Sequence, residues 1–168
     1  LTGSPHMLFP VGEEGGRLRS FQAALEVGKI NGDFPIFKCM KCDKETIYSL
    51  CETCGKKTKR MYLCSSCGPI EKDTCTHGEC SLFRNQDLDI KYYFSSAIKN
   101  LKLRDCPDLI KGVRTTLNKD HTPEPLFKGI LRAANEVFVN KDGTTRYDMS
   151  QMPITHFKPK EVRTKIEQ

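Results

Sequence analysis

Eight of the nine cysteines in this 168-residue chain lie in one short stretch, between residues 39 and 80. They occur as CMKC, CETC and CSSC, followed by the wider CTHGEC. Two thiolates separated by two residues let one tight turn present both sulfurs to a single tetrahedral zinc ion, which takes four ligands at about 2.3 Å. Four successive pairs therefore predict two zinc sites, and a disulfide framework is the alternative.

The order of the pairs predicts which cysteines share an ion. Consecutive pairing assigns Cys39, Cys42, Cys51 and Cys54 to one site, and Cys64, Cys67, Cys75 and Cys80 to the other. Interleaved pairing, as in treble-clef-like folds, remains open. Four residues, THGE, separate the last two cysteines, so His77 could replace Cys80 as a ligand. We favour Cys80, because thiolate suits zinc well and ribbons of four cysteines are commoner.

Composition limits the hydrophobic core that this chain can build. Hydrophobic residues make up 38% and charged residues 29%, and tryptophan is absent. A cysteine-rich stretch with few large apolar residues cannot offset its chain entropy by burial, so zinc would supply the missing folding free energy. No apolar run approaches the roughly 20 residues that cross a bilayer, and LTGSPHM lacks the features of a secretory signal. We therefore expect a cytoplasmic protein without membrane contact.

Sequence patterns predict a strand-rich α+β fold in three parts. Residues 1–35 form an N-terminal segment with a helix over residues 17–30, ended by Asn31-Gly32. Residues 36–82 form a double zinc ribbon, with short strands in FPIFK, KETIYSL and MYL. Residues 83–168 contain a helix capped by Asp87 or Asp89, then a β-rich region with a hairpin around Asp142-Gly143.

The chain shows no self-sufficient active site. The glycine-rich GEEGG lacks the lysine and serine of a phosphate-binding loop, and we interpret it as a turn. Zinc held by four thiolates has no open coordination position and cannot activate water. Cys106 stands alone beside Pro107, and we interpret it as a small structural residue.

Several strings, taken in order, resemble a single family. They are SPHMLFPVGEEGGRLR, the run of cysteine pairs, IKGV, PEPLFKGILRAANEVFV, KDGTTRYD and PITHFKPKEV. Over residues 4–161 the chain is similar to a central portion of the large subunit of the archaeal family D DNA polymerase. The strings GGRLR and PEPLFKGILRA are the most specific parts of this resemblance.

The resemblance implies a replicative DNA-directed DNA polymerase, linked to 3'–5' exonuclease proofreading. Its flanking strands would belong to a double-psi β-barrel core, and its partners would be template–primer DNA, a small proofreading subunit and the sliding clamp. The whole enzyme would use magnesium held by an aspartate-rich motif. No string of the type DFDGD occurs here, so the chain alone is expected to be inactive.

A stand-alone zinc-ribbon adaptor, binding nucleic acid or protein without catalysis, is the alternative function, and a ribbon subunit related to transcription machinery is a third. The formal charge of +6 would fall to about +2 with two four-thiolate zinc sites, so charge alone is weak evidence for nucleic acid binding. The basic residues predicted to contact DNA are Arg17, Arg19, Lys56, Lys57, Lys59, Arg60, Lys128, Arg132, His156 and Lys158. Alternatively, these side chains are solvated or pair with Glu13, Glu14, Glu71 and Glu124.

Overall fold

A computed structural model of the chain describes residues 8–103, 105–116 and 118–139, together with the backbone of residues 145–147. After a 3-10 turn at Gly16–Leu18 the elements are α1 (Phe21–Val27), β1 (Lys29–Cys39), β2 (Lys44–Thr46), β3 (Lys59–Cys64), β4 (Gly68–Ile70), β5 (Thr74–Cys75), β6 (Gly78–Glu79), β7 (Phe83–Asp89), α2 (Ile90–Leu101), α3 (Leu126–Ala134), β8 (Val137–Val139) and β9 (Thr145–Tyr147). The mixed, strand-rich composition agrees with the predicted class.

The long strand β1 organises the sheet. Its first half pairs antiparallel with β7, from Lys29 opposite Asp89 to Pro35 opposite Phe83. Its second half pairs with β2 on one side and β3 on the other, and β4 extends the sheet beyond β3. β1 therefore crosses the predicted domain boundary at residue 35, and the three-part division stays a prediction.

The hydrophobic core lies where the three helices meet the β1–β7 pair. Its fully buried side chains include Phe9, Phe21, Phe34, Ile47, Ile90, Ile110, Leu126 and Ile130. The rings of Phe9 and Phe21 meet edge to face with centroids 5.4 Å apart. Among the residues that the structure describes, no helix is long and apolar enough to cross a membrane.

Helix α2 begins and packs as its sequence predicts. The Asp89 carboxylate accepts hydrogen bonds from the backbone N–H groups of Lys91 and Tyr92, which satisfies two donors of the first turn. Ile90 is fully buried, while Phe94 and Ile98 pack partly buried against the core. The cap predicted at Asp87 or Asp89 is confirmed at Asp89.

The N-terminal helix is shorter than predicted. It ends at Val27, because Gly28 adopts a left-handed φ of 88° and its N–H donates to the Ala24 carbonyl. Asn31 and Gly32 do not end a helix; they lie inside β1, where pairing with β7 satisfies the backbone. GEEGG forms a turn, as predicted.

The expectation of a β-rich final third is wrong for α3. The buried residues Leu126 and Ile130 recur at helical spacing. Pro125, whose φ is restricted by its ring, directly precedes the first residue of the helix. The predicted hairpin is confirmed by the antiparallel pairing of β8 with β9, whereas its turn, residues 140–143, lies outside the described residues.

Candidate metal centres

Four cysteine sulfurs gather at the end of β1. Cys39 ends the strand, Cys42 lies in the turn to β2, and Cys51 and Cys54 come from the next turn along the chain. All four sulfurs lie within 4.8 Å of one another, and those of Cys39 and Cys54 are 3.6 Å apart. A tetrahedral zinc ion with bonds of about 2.3 Å needs sulfur–sulfur edges of about 3.8 Å. The predicted first group of ligands is therefore brought together, at a spacing that fits zinc.

One local backbone geometry builds each of the three Cys-x-x-Cys turns. The residue directly after each pair adopts a left-handed conformation, with φ of 52° at Asp43, 66° at Gly55 and 79° at Gly68. Glycine takes this conformation without steric cost, and aspartate tolerates it better than most residues. The turn thus comes from sequence within five residues, before any metal is considered.

A second group of donors gathers at the end of β3, and its membership differs from the prediction. Cys64, Cys67 and Cys75 are joined by His77, and their donor atoms lie within 4.8 Å of one another. His77 Nδ1 lies 3.3 Å from the sulfur of Cys67, 3.4 Å from that of Cys75 and 3.8 Å from that of Cys64. The sulfur of Cys80, the ligand we favoured from sequence, is not in this group.

The register of the β5–β6 hairpin explains why His77 lies in this group. Cys75 pairs directly with Gly78, so Thr76 and His77 form a two-residue turn that lies against the other donors. Cys80 lies further along, where its backbone N–H donates to the Asp73 carbonyl at 3.0 Å. Sequence spacing allowed both His77 and Cys80, and the hairpin places His77 in the group of donors.

Backbone donors favour thiolates in both clusters. The N–H of Cys42 donates to the Cys39 sulfur at 3.5 Å, and such contacts lower the pKa of Cys39 to about 7. The N–H of His77 similarly lowers the pKa of Cys75 to about 6. Hydrogen bonding to neighbouring sulfurs raises the pKa of Cys67 to about 11. A divalent cation would relieve this crowding of negative charge, since metal-bound thiols are deprotonated.

The two clusters lie at opposite ends of one strand pair. β1 and β3 run antiparallel, with Lys38 opposite Lys59, so Cys39 and Cys64 end their strands in opposite directions. The six residues that separate these ends along the pair correspond to about 20 Å. The two clusters therefore lie at opposite ends of the β1–β3 pair.

Four of the basic residues predicted to contact DNA are engaged in ion pairs. Arg19 pairs with Glu13 at 2.8 Å, Lys59 with Glu71 at 2.6 Å, Arg60 with Asp120 at 2.9 Å, and Arg132 with Glu124. Three of these acids belong to the alternative partners named from sequence, and Asp120 was not anticipated.

The Arg132–Glu124 pair is the most enclosed of these. The Arg132 side chain is 11% exposed and that of Glu124 is 4% exposed. Arg132 also donates to the Lys111 carbonyl at 3.1 Å. Burial raises the pKa of Glu124, an effect that Arg132 opposes. A guanidinium held in this way is not presented to a phosphate, and the structure does not support DNA contact by Arg132.

The remaining predicted DNA contacts divide into exposed and undescribed residues. Arg17, Lys56, Lys57 and Lys128 are exposed, and none of them forms an ion pair with another described residue. His156 and Lys158 lie outside the residues that the structure describes. Lys56 and Lys57 stand immediately beside the first metal cluster, after Cys54 and Gly55.

A strand-rich fold with two cysteine-rich clusters that could hold metal ions is compatible with a zinc-ribbon protein. Comparison with known families is more specific. Residues 1–73 match the family described as "DNA polymerase II large subunit DP2, central domain". Residues 102–168 match "DNA polymerase II large subunit DP2, catalytic domain".

Individual relatives agree with both matches. The chain is 40% identical to the DNA polymerase II large subunit of Nanoarchaeum equitans, 39% to that of Archaeoglobus fulgidus and 44% to that of Methanocella arvoryzae. These alignments cover 96%, 99% and 96% of this chain, but only 15%, 16% and 15% of the respective relatives. The chain is thus similar, over nearly its whole length, to archaeal DNA polymerase II large subunits, and it spans about 15% of the length of these relatives.

Proposed function

We propose that the chain is the segment of a replicative DNA-directed DNA polymerase large subunit, of the family D type, that joins the central to the catalytic domain. One observation carries this proposal. The first part of the chain matches the central domain of this subunit, and the last part matches its catalytic domain. The whole enzyme would extend template–primer DNA, with a small proofreading subunit and the sliding clamp as partners. It would act in the cytoplasm, where chromosomal DNA lies.

Backbone contacts between the two matched regions support a joining role. The Val11 N–H donates to the Val113 carbonyl at 2.8 Å, and the Val113 N–H donates to the Phe9 carbonyl at 3.0 Å. The Phe21 N–H donates to the Ile110 carbonyl at 2.9 Å. Because Phe9, Val11, Phe21 and Ile110 are also buried in one core, the two regions fold together. Strands of this core would contribute to a double-psi β-barrel that sequence outside this chain completes.

The metal clusters would hold two structural zinc ions. Sulfur and imidazole are the donors of structural zinc sites, and four protein ligands leave no position for water or substrate. The chain's own part is to orient these donors through the Cys-x-x-Cys turns and the β5–β6 hairpin. Magnesium for nucleotide transfer would be held elsewhere in the subunit, because the aspartate-rich motif does not occur in this chain.

DNA contact would come mainly from the exposed basic residues that form no ion pair within the described part of the chain. Lys56 and Lys57 lie together on the first ribbon, with Arg17 and Lys128 on other elements. Lysine and arginine on phosphates release counterions, so binding would weaken steeply as salt rises. The contacts would fix the position of the DNA without reading its bases.

Primer extension tests this proposal. The complete polypeptide encoded in this reading frame should extend a primed template when purified with its small subunit and magnesium, whereas the 168-residue chain should not. If the complete polypeptide binds DNA but never extends a primer, the adaptor alternative is favoured. Extension by the 168-residue chain, freed of contaminating polymerases, would show that the magnesium assignment is wrong.

A further inference from the structure

We propose that Nδ1 of His77 is the fourth ligand of the second metal ion, and that the Cys80 thiol stays outside the coordination sphere. The second site would then consist of three thiolates and one imidazole, while the first consists of four thiolates. This inference rests on the structural metal role proposed above and specifies which atoms perform it.

The distances between donor atoms carry the argument. Zinc bonds of about 2.3 Å to sulfur and about 2.0 Å to nitrogen give tetrahedral edges of about 3.8 Å between sulfurs and about 3.6 Å from sulfur to nitrogen. The sulfurs of Cys67 and Cys75 are 3.7 Å apart. Nδ1 of His77 lies 3.3, 3.4 and 3.8 Å from the sulfurs of Cys67, Cys75 and Cys64. Nδ1 therefore occupies the fourth corner of a tetrahedron of the right size.

The β5–β6 hairpin brings His77 close to Cys75 within a few residues of chain. Cys75 faces Gly78 across the β5–β6 pair, and a Cβ built on Gly78 would meet nothing within 4 Å. Gly78 has a φ of 117°, a conformation that glycine favours, so the tight turn depends on it.

The Cys80 thiol lies near the second group of donors without belonging to it. Ser81 pairs with Leu63, which brings Cys80 close to Cys64. The Cys80 sulfur contacts the Gly78 carbonyl, at 3.9 Å. The group of donor atoms that lie within 4.8 Å of one another includes His77 and not Cys80.

Cobalt substitution distinguishes the two candidate ligands. Tetrahedral Co²⁺ can replace Zn²⁺ in the 168-residue chain, and its visible and sulfur-to-metal bands report how many thiolates are bound. The variants are His77→Ala and Cys80→Ser, with Cys75→Ser as the control that must lose a thiolate ligand. The first cluster is unchanged in all three variants and provides an internal reference.

We expect Cys80→Ser to bind two metal ions with the spectrum of the unsubstituted chain. We expect His77→Ala either to lose the second ion or to show a different spectrum, as another donor takes the vacated position. A changed spectrum in Cys80→Ser, or an unchanged one in His77→Ala, would overturn the proposal.

Nitrogen NMR of the unsubstituted zinc-bound chain gives a readout that does not depend on how the variants fold. We expect His77 to show a metal-bound Nδ1 and a protonated Nε2. An imidazole that titrates freely would overturn the ligand assignment while leaving the structural metal role intact. An unsubstituted chain that binds no metal at all would instead refute that role.

Discussion

The hydroxyl of Tyr48 lies between two backbone groups at the start of α3, 3.2 Å from the Glu124 carbonyl and 3.2 Å from the Leu126 N–H. It donates to the first and accepts from the second. Tyr48 belongs to the loop between the two turns of the first metal cluster, so it connects that cluster to α3. Pro125 offers no side-chain cap, and Tyr48 satisfies an N-terminal donor of the helix from a distant part of the chain.

The first prediction follows from this connection. Tyr48→Phe should lower the free energy of unfolding by about 1–3 kcal/mol, because it leaves a buried carbonyl and a buried N–H without partners. Denaturant unfolding of the metal-loaded chain measures this loss. Tyr92→Phe is the matched control, since its hydroxyl bonds to Thr53 at an exposed position and should matter little. Equal losses in the two variants would contradict the capping role.

Metal removal should unfold the ribbons and spare the core. After chelation we expect residues 36–82 to lose their dispersed amide NMR signals, because zinc supplies the folding free energy of such segments. The β1–β7 pair from Lys29 to Pro35 should keep its signals, since Phe34 and Leu88 are buried in the core. Dispersed signals from residues 36–82 in the metal-free chain would show that the metals are not needed.

Breaking the buried ion pair should be costly. Glu124→Gln keeps the shape of the side chain but leaves the Arg132 charge buried without a counterion, and such changes cost about 3–5 kcal/mol. Glu71→Gln at the exposed Lys59 pair should cost less than about 1 kcal/mol. Thermal and denaturant unfolding compare the two variants directly. A cost for Glu124→Gln no larger than that of Glu71→Gln would mean that the pair is effectively solvated.

Charge reversal should locate the DNA-binding surface. Lys56→Glu with Lys57→Glu should weaken binding of primed DNA several-fold at low salt and reduce its salt dependence, because two phosphate contacts are lost. Lys91→Glu with Lys99→Glu changes the net charge equally on exposed positions of α2 and serves as the control. Fluorescence anisotropy measures both. If the two double variants lose affinity equally, overall charge and not the ribbon surface drives binding.

Features that depend on a few neighbouring residues were predicted correctly from sequence. The Cys-x-x-Cys turns follow from two cysteines and one residue tolerant of positive φ, as at Gly55 and Gly68. Helix α2 follows from the Asp89 cap and an apolar face at helical spacing. In each case the interacting residues are close together in the sequence, so the local sequence is enough to predict the structure.

Tertiary structure decided what depends on register and on distant partners. Whether His77 or Cys80 joins Cys75 depends on how the β5–β6 hairpin pairs, which the spacing leaves open. The ion pair that removes Arg132 from the surface, and the Tyr48 hydroxyl that caps α3, join positions 8 and 78 residues apart. The sequence by itself therefore determined that there are two clusters of potential metal ligands and where their turns form. The pairing of β5 with β6 placed His77 in the second cluster, and the packing of separate segments decided which charges remain free. Neither outcome can be read from residue spacing, because each depends on contacts that spacing leaves open.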